Sequence, residues 1–409
     1  MKVQEDVIVV GGGASGLVTA IMCAREGKRV LVLEHKKQIG KKILATGNGK
    51  CNYTNKNCNI EGYRSEQAEF VYYPLSVFDS QKAIAFFAEL GIYPKEKNGY
   101  IYPYSEQASA VVDVLTMELE RLDVRIIYEK VVSIQKKECF FVQTEQGVYT
   151  GATVVLATGG KASPKLGSDG SGFLLARKLG HTIVEPVPAL IGLKCKESYY
   201  EAISGVRIQA GISLYIDKES EPVAVEEGEL QLTNYGISGI PVFQVSRFAA
   251  RALSEGHSVY ARIDYMPAIS INELVTLLQK RFLADGKNAS EALVGLLPAK
   301  LIPVFLQQGG IKATINAAKV NEQQLKQLAS QLKRQKTEIV ETNGFEHAQV
   351  TAGGVSTKEI EEKTMESKLI SGLYFTGEMI DVDGICGGYN LQWCWSSAYV
   401  ASESINARF

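Results

Sequence analysis

No stretch of the sequence approaches the run of about 18 apolar residues that a membrane-spanning helix needs. The charged opening Lys2 to Asp6 leads straight into strand-forming residues rather than a secretory leader. A membrane protein and an exported one are therefore not expected, and a soluble cytoplasmic protein is the simplest reading. Cysteine is sparse: Cys23, Cys51, Cys58, Cys139, Cys195, Cys386 and Cys394 are scattered and form no CxxC pair. That spacing argues against a disulfide framework, a zinc site and a dithiol reductase of the thioredoxin reductase type, and no metal is expected. Net charge is also lacking; at −1 the chain carries no global field for nucleic acid or acidic membranes, so only a local basic patch could attract them. His181, His257 and His347 stand isolated, without ligand spacing, and read as core or surface residues.

What is present is core-forming capacity. The chain has 409 residues and 45% hydrophobic content, enough for two or three domains. Residues Asp6 to Glu34 read DVIVVGGGASGLVTAIMCAREGKRVLVLE. A buried-strand run, Asp6 to Val10, enters Gly11, Gly13 and Gly16; a helix is expected to Glu26, and Arg29 to Leu33 reads as a second strand. The first glycine permits the tight turn, the second lets backbone approach a pyrophosphate, and the third lets helix and strand lie close. The N–H groups at the helix start favour phosphate. Glu34, at the end of the second strand, can accept from both adenosine ribose hydroxyls and would repel a 2′-phosphate, which suits FAD or NAD and not NADP.

The next stretch, HKKQIGKKILATGNGKCNYTN from His35 to Asn55, is too rich in Gly, Asn and Lys for core. It reads as backbone and amide groups wrapped around a polar ligand, with an ordinary surface loop as the alternative. Helices are expected at Asp79 to Leu90 and Glu106 to Leu122, flanking a hairpin at Tyr93 to Tyr104 that turns at Lys97, Asn98 and Gly99. Short strands near Arg125 to Tyr128, Val131 to Lys136, Phe140 to Thr144 and Val148 to Thr150 suggest a meander. Val154 to Ala157 is a buried strand ending in Thr158, Gly159 and Gly160, expected beside the first strand. Gly167 to Gly172 precedes a helix at Phe173 to Leu179 and offers another resting place for an anion. From Leu190 to Val259 strand formers dominate; helices then follow at Ile271 to Leu283, Ala289 to Leu296, Ala299 to Gln308 and Glu322 to Lys333. This block carries no cofactor motif and reads as an insertion over the active site.

Sheet character returns from Thr337, and the segment Gly372 to Ser402 is the second strong signal. A strand, Leu373 to Thr376, delivers Gly377 and Glu378; a loop carries Asp381 and Asp383; Gly387 and Gly388 allow close approach to something flat; a helix starts near Asn390. The arrangement resembles that of two-motif flavoproteins, in which such an end seats a ribityl chain and aims a helix start at the flavin ring, where the dipole stabilises negative charge. The cofactor expected is FAD.

Four stretches together resemble the BaiN/RdsA family of NAD(P)/FAD-dependent oxidoreductases: GGGASG from Gly11, GKKILATGNGKCNYTN from Gly40, VTAGGVSTKEIEEKTMESKLISGLYFTGE from Val350, and DVDGICGGYNLQWCWSSAYVA from Asp381. The resemblance implies an α/β chain. A Rossmann-type, two-motif FAD domain would be built from 1–189 and 337–409, with an inserted β-rich domain at 190–269 and a small helical domain at 270–336. It implies FAD contacts at Gly11, Gly13, Ala14, Ser15, Gly16, Glu34, His35, Lys42, Thr46, Gly47, Asn48, Cys51 and Asn52. Further contacts are expected at Val131, Thr158, Gly159, Gly160, Gly377, Glu378, Asp383, Gly388, Tyr389, Asn390 and Leu391. Family activities include reduction of enones in oxidised bile-acid intermediates, reduction of a ribosomal RNA uridine to dihydrouridine, and aminoacetone-type amine oxidation. The family's TGGGRCN appears as Thr46 to Asn52, TGNGKCN, and its LFTHxGxSGP as Leu232 to Pro241, where Asn234 removes a group titrating near neutrality.

Reducing a polarised C=C bond needs a hydride at one carbon and a proton at its neighbour, so a general acid is sought near the flavin. Cys51, Lys50 and Tyr389 are the candidates: a thiol donor, a cation to offset charge or hold an anionic substrate, and a phenol beside the glycines. Against each stands packing, or for Lys50 simple solvation. Cys386 is a weaker candidate of the same kind. Trp393 and Trp395 fall on different helix faces and read as packing. With no second GxGxxG motif, NAD(P)H is expected only as a transient reductant. The expected partner is a planar small molecule, with ribosomal RNA as the alternative through Lys36, Lys37, Lys41, Lys42 and Lys50.

Overall fold

The computed structural model describes residues 4–283 and 286–408. Its contacts divide the chain into two units, Met1–Val187 with Gln349–Phe409, and Pro188–Ala348.

In the first unit β1 (Glu5–Val10), α1 (Ala14–Arg25) and β2 (Val30–Leu33) form the expected strand, turn, helix, strand. Val7 to Val9 and Leu31 to Val32 are fully buried, as parallel strands covered on both faces must be. The sheet runs Arg125–Ile127, β2, β1, Val148–Leu156, Phe140–Thr144, Val131–Lys136, with Leu373–Phe375 also paired to Val148–Leu156. That last pairing is parallel and brings the far end of the chain into the nucleotide-binding sheet. The long helix Tyr389–Asn406 then lies against α1, so both ends of the polypeptide share one core.

Two strand expectations differ from this arrangement. Arg125–Ile127 leaves the meander and forms the outer parallel strand on β2. The segments expected as Val148 to Thr150 and Val154 to Ala157 are one strand: its first half pairs antiparallel with Phe140–Thr144, its second half parallel with β1. Gly151 makes this continuity possible, since a Cβ there would lie 2.8 Å from Ile8 Cγ1.

The second unit is a closed barrel, in order Leu193–Cys195, Gly236–Gly239, Ala224–Thr233, Arg207–Ile216, Val259–Asp264 and Gln335–Thr342. Its interior is filled by alternate residues such as Ala210, Ile212 and Leu214, all fully buried. Gln335–Thr342 closes the barrel against Leu193–Cys195 and Val259–Asp264, so residues 337–342 do not belong with the first domain as expected. The helices Ile271–Phe282, Leu301–Gln308 and Glu322–Arg334 bury Leu274, Leu278, Phe305 and Leu328 in the same core as the barrel, so the expected division at 269/270 is not a boundary between cores. Within the block read as strands lies a fifteen-residue helix, Ile240–Ser254. Its buried Val242, Val245, Ala249 and Ala252 follow helical spacing. Among the described residues no helix is long and apolar enough to cross a membrane.

Candidate active site

The glycine turn after β1 is built from three different constraints. Gly11 has φ +111°, and a Cβ on it would sit 2.4 Å from Ala157 O, on the neighbouring strand. At Gly16 a Cβ would fall 2.0 Å from Gly11 O, so this residue sets how closely α1 approaches the turn. Gly13, the N-cap of α1, has no atom within 4 Å of its would-be Cβ. The turn is tied down by Gly11 N–H donating to Leu33 O at 2.8 Å and Gly12 N–H donating to Glu34 Oε2 at 2.7 Å. Glu34 is buried, and its other oxygen accepts from Lys36 N–H at 2.7 Å. The acidic strand end thus braces the phosphate-type turn while facing the same space.

That space is a cleft of roughly 1200 Å³, counting volume open to solvent. Gly11, Gly13, Ala14 and Ser15 wall it at the start of α1; Glu34, His35, Lys42, Thr46 and Val131 wall it alongside. Thr158 and Gly159 contribute from the end of the long strand, and Glu378, Asn390 and Leu391 from the C-terminal segment. Gln38, Lys41, Glu129, Lys130, Ser168 and Val350 also line it and were not foreseen as contacts. The GSDGSG run and VTAGGV were visible signals for Ser168 and Val350; nothing local marked Glu129 or Lys130.

Other expected contacts do not line the cleft. Gly16, Gly160 and Gly377 are close-approach glycines: a Cβ on Gly160 would meet Thr351 Oγ1 at 2.3 Å, and one on Gly377 would meet Ser15 Oγ at 2.5 Å. Asp383 is buried in a short strand paired with Tyr63–Arg64. Gly388 caps the long helix, with its would-be Cβ 2.7 Å from the Thr54 carbonyl. Gly47 and Asn48 occupy an exposed loop that also holds Gly49 and Cys51 in left-handed backbone, closed by Cys51 N–H donating to Thr46 O at 3.1 Å. Asn52 follows it, and its buried Oδ1 has no hydrogen-bond partner.

None of the three catalytic candidates lines the cleft. Cys51 is fully buried in the core, outside the cleft, and burial pushes its thiol up to about 12. Lys50 points from the exposed loop to Glu106, with Nζ 2.6 Å from Oε2, and shares that carboxylate with Lys95. Tyr389 is buried against Tyr63 and its hydroxyl donates to Asn57 O at 2.8 Å. Each has its functional group consumed by packing or pairing. Trp393 and Trp395 are buried, their indole N–H groups donating to Gly377 O at 3.0 Å and Tyr53 O at 2.7 Å, and Trp393 also borders the cleft.

The two ends of the chain are joined at the cleft by an ion pair. Lys42 Nζ lies 2.7 Å from Glu378 Oε2, and Glu378 Oε1 accepts from Thr351 N–H at 2.7 Å. The wall also fits a dinucleotide chemically. His35 Nε2 is buried without a hydrogen-bond partner, 4.0 Å from Asp169 Oδ2, Glu34 presents a carboxylate, Gly13 leaves the helix start open, and Val10, Leu33, Val131 and Leu175 provide an apolar wall.

The chain matches the family model described as "HI0933-like protein Rossmann domain" over residues 5–404. It is 43% identical over 408 residues to the 3-dehydro-bile acid delta(4,6)-reductase of Clostridium scindens, with 98% of each chain covered. It is 32% identical over 415 residues to the ribosomal RNA dihydrouridine synthase of Haemophilus influenzae, covering 99% of this chain and 100% of that one. To the enzyme of the same description from Escherichia coli it is 30% identical over 405 residues, covering 98% of each. With the glycine turn and both chain ends assembled around one cleft, and with these matches running nearly end to end, the chain belongs to the HI0933-like Rossmann family, the BaiN/RdsA family of FAD-dependent oxidoreductases.

Proposed function

We propose that the protein is an FAD-dependent reductase of an activated C=C bond in a planar small molecule, an enone such as an oxidised bile-acid intermediate, with NAD(P)H as the transient reductant. The observation that carries this reading is the 43% identity to the bile-acid reductase, against 32% and 30% to the two ribosomal RNA enzymes.

In this reading the start of α1, at Gly13 to Ser15, binds the pyrophosphate, and Glu34 and His35 hold the adenosine ribose. Val131 and Leu33 flank the adenine. Lys42, Thr46, Asn390 and Leu391 border the flavin ring, and the Lys42–Glu378 pair keeps their two segments in register. Bound FAD supplies hydride transfer; the chain supplies orientation and a water-poor wall.

The ribosomal RNA reading is favoured by two relatives that match over nearly their whole length. Of the basic face proposed for it, Lys42 is paired with Glu378, while Lys50 shares the single carboxylate of Glu106 with Lys95 and leaves that patch net positive. Anaerobic reduction of the purified enzyme with NADH and with NADPH, followed by addition of enones or unmodified ribosomal RNA, separates the two. Reoxidation by an enone supports the first reading. No enone reoxidation, together with loss of one dihydrouridine from ribosomal RNA in a deletion strain, would replace it with the second.

A further inference from the structure

The strand Tyr100–Pro103 carries Tyr100 and Tyr102 at alternate positions, hence on one face. Tyr100 lies against the C-terminal loop: a Cβ on Gly387 would meet its ring at 2.4 Å. Tyr102 lies against the N-terminal loop, its ring 3.7 Å from the would-be Cβ of Gly47. Gly47 follows Thr46, and Gly387 precedes Asn390, both cleft residues. The strand therefore spans the two loops that flank the proposed flavin-ring end of the cleft. Both phenols are half-buried, and each has its acidity lowered first by that burial, with Cys386 a further neighbouring influence on both.

What separates these two tyrosines from their neighbours is their hydroxyl groups. Tyr63 donates to Tyr389 O at 3.0 Å and Tyr389 donates to Asn57 O at 2.8 Å. Neither Tyr100 nor Tyr102 has a hydrogen-bond partner within the described protein. Neither hydroxyl is among the buried polar atoms sealed from water, so both are open to solvent on one face of the strand and available to donate to a ligand.

We propose that Tyr100 and Tyr102 form the carbonyl-recognition edge of the substrate site, their hydroxyls donating hydrogen bonds to the oxygen of a planar conjugated ketone. The inference rests on the enone-reductase reading above and names the part of the substrate that is held. Donors on that oxygen draw electron density out of the conjugated double bond, which favours hydride addition at its far carbon. The phenols bind and polarise; no proton leaves them.

The test uses oxidised holoenzyme without reductant, titrated with testosterone, a steroid whose carbonyl is the conjugated 3-ketone. Binding is followed by the change in flavin absorption. Tyr100→Phe and Tyr102→Phe keep both rings against their glycines and remove only the hydroxyls. Each is expected to weaken testosterone binding about tenfold, and the double variant about a hundredfold. FAD content should stay unchanged, as should affinity for androstane-3β,17β-diol, which lacks the carbonyl. Tyr93→Phe, on an exposed ring away from the cleft, is the control and should bind as wild type. Equal testosterone affinity in wild type and all Phe variants would overturn the tyrosine assignment alone. Equal weakening toward the diol, or loss of FAD, would overturn it in favour of a packing role. A wild-type enzyme that does not bind testosterone would count against the enone reading itself.

Discussion

Gly13 and Gly16 lie three residues apart in one motif, yet the structure gives an alanine at each a different consequence. At Gly16 the new methyl would land 2.0 Å from the Gly11 carbonyl oxygen, a backbone atom that cannot swing away. Relief requires α1 to shift from the sheet, an overpacking cost of about 1–3 kcal/mol, or a fall of roughly 2–12 °C in melting temperature for a cooperative unit the size of Met1–Val187 with Gln349–Phe409. At Gly13 the backbone is extended, with φ −89° and ψ −170°, which alanine adopts freely, and its methyl meets no protein atom within 4 Å. Folding should change by no more than about 1 kcal/mol, the usual N-cap difference. The methyl does, however, stand where a phosphate must approach the helix start. Losing one or two charge-assisted hydrogen bonds there costs about 2–4 kcal/mol, roughly 30- to 900-fold in the Kd for FAD. Flavin-stripped protein titrated with FAD, alongside thermal melts without it, measures both quantities. Gly13→Ala should fold and fail to bind; Gly16→Ala should melt early. A Gly13→Ala protein that retains FAD as tightly as wild type would refute the assignment of this turn to the pyrophosphate.

Cys51→Ala should keep turnover within about twofold while losing about 1 kcal/mol of stability in urea, and native protein should resist alkylation at this thiol; a large loss of turnover would restore Cys51 as a proton donor. Glu378→Ala strands the Lys42 ammonium and the Thr351 N–H and should destabilise by about 2–3 kcal/mol, whereas Glu378→Gln, which keeps an acceptor for Thr351, should cost about half as much. Equal urea midpoints for the two variants would contradict the bridging role. Glu118 has its carboxyl held down to about 2 from an ordinary 4.5, first by Arg121 and then, against the cost of burial, by Arg25. Its stabilising contribution is therefore complete above about pH 4.5 and is lost as pH falls toward 2, so Glu118→Gln should flatten this part of the stability profile without altering its neutral-pH slope.

The parts of the fold legible in the sequence are those whose cause is local. Val7 to Val10 are apolar without interruption because a central parallel strand is covered on both faces, and the glycines follow because the turn leaves no room for side chains. Asp79, Ser270 and Asn321 mark helix starts because each side chain accepts from a backbone N–H three residues on. The helix Ile240–Ser254 was hidden because its Ile, Val and Phe residues suit strands equally well, and only the barrel it covers decides between the two periods. Residues 337–342 were misplaced for a related reason. An alternating strand announces that it has one buried face, but not which sheet provides the cover, and here it completes a ring whose other members lie up to 150 residues earlier.

The site shows the same limit at the level of single atoms. Motif and chain position brought Thr46, Glu378 and Asn390 to one cleft, because strand ends and helix starts converge wherever such a sheet forms. They did not reveal whether a functional group remained available. Cys51, Lys50 and Tyr389 occupy the expected loops, yet the thiol is sealed in core, the ammonium is paired with a residue 56 positions away, and the phenol is bonded 332 positions away. Tyr100 and Tyr102 lay in a stretch that read as an ordinary hairpin and keep their hydroxyls free. Hydrogen-bond saturation is a tertiary property: residue type tells what a side chain can donate, and only the folded surroundings decide whether that donor has already been used. A catalytic or binding assignment in this family therefore gains most from asking which polar groups at the loops the fold leaves unpaired.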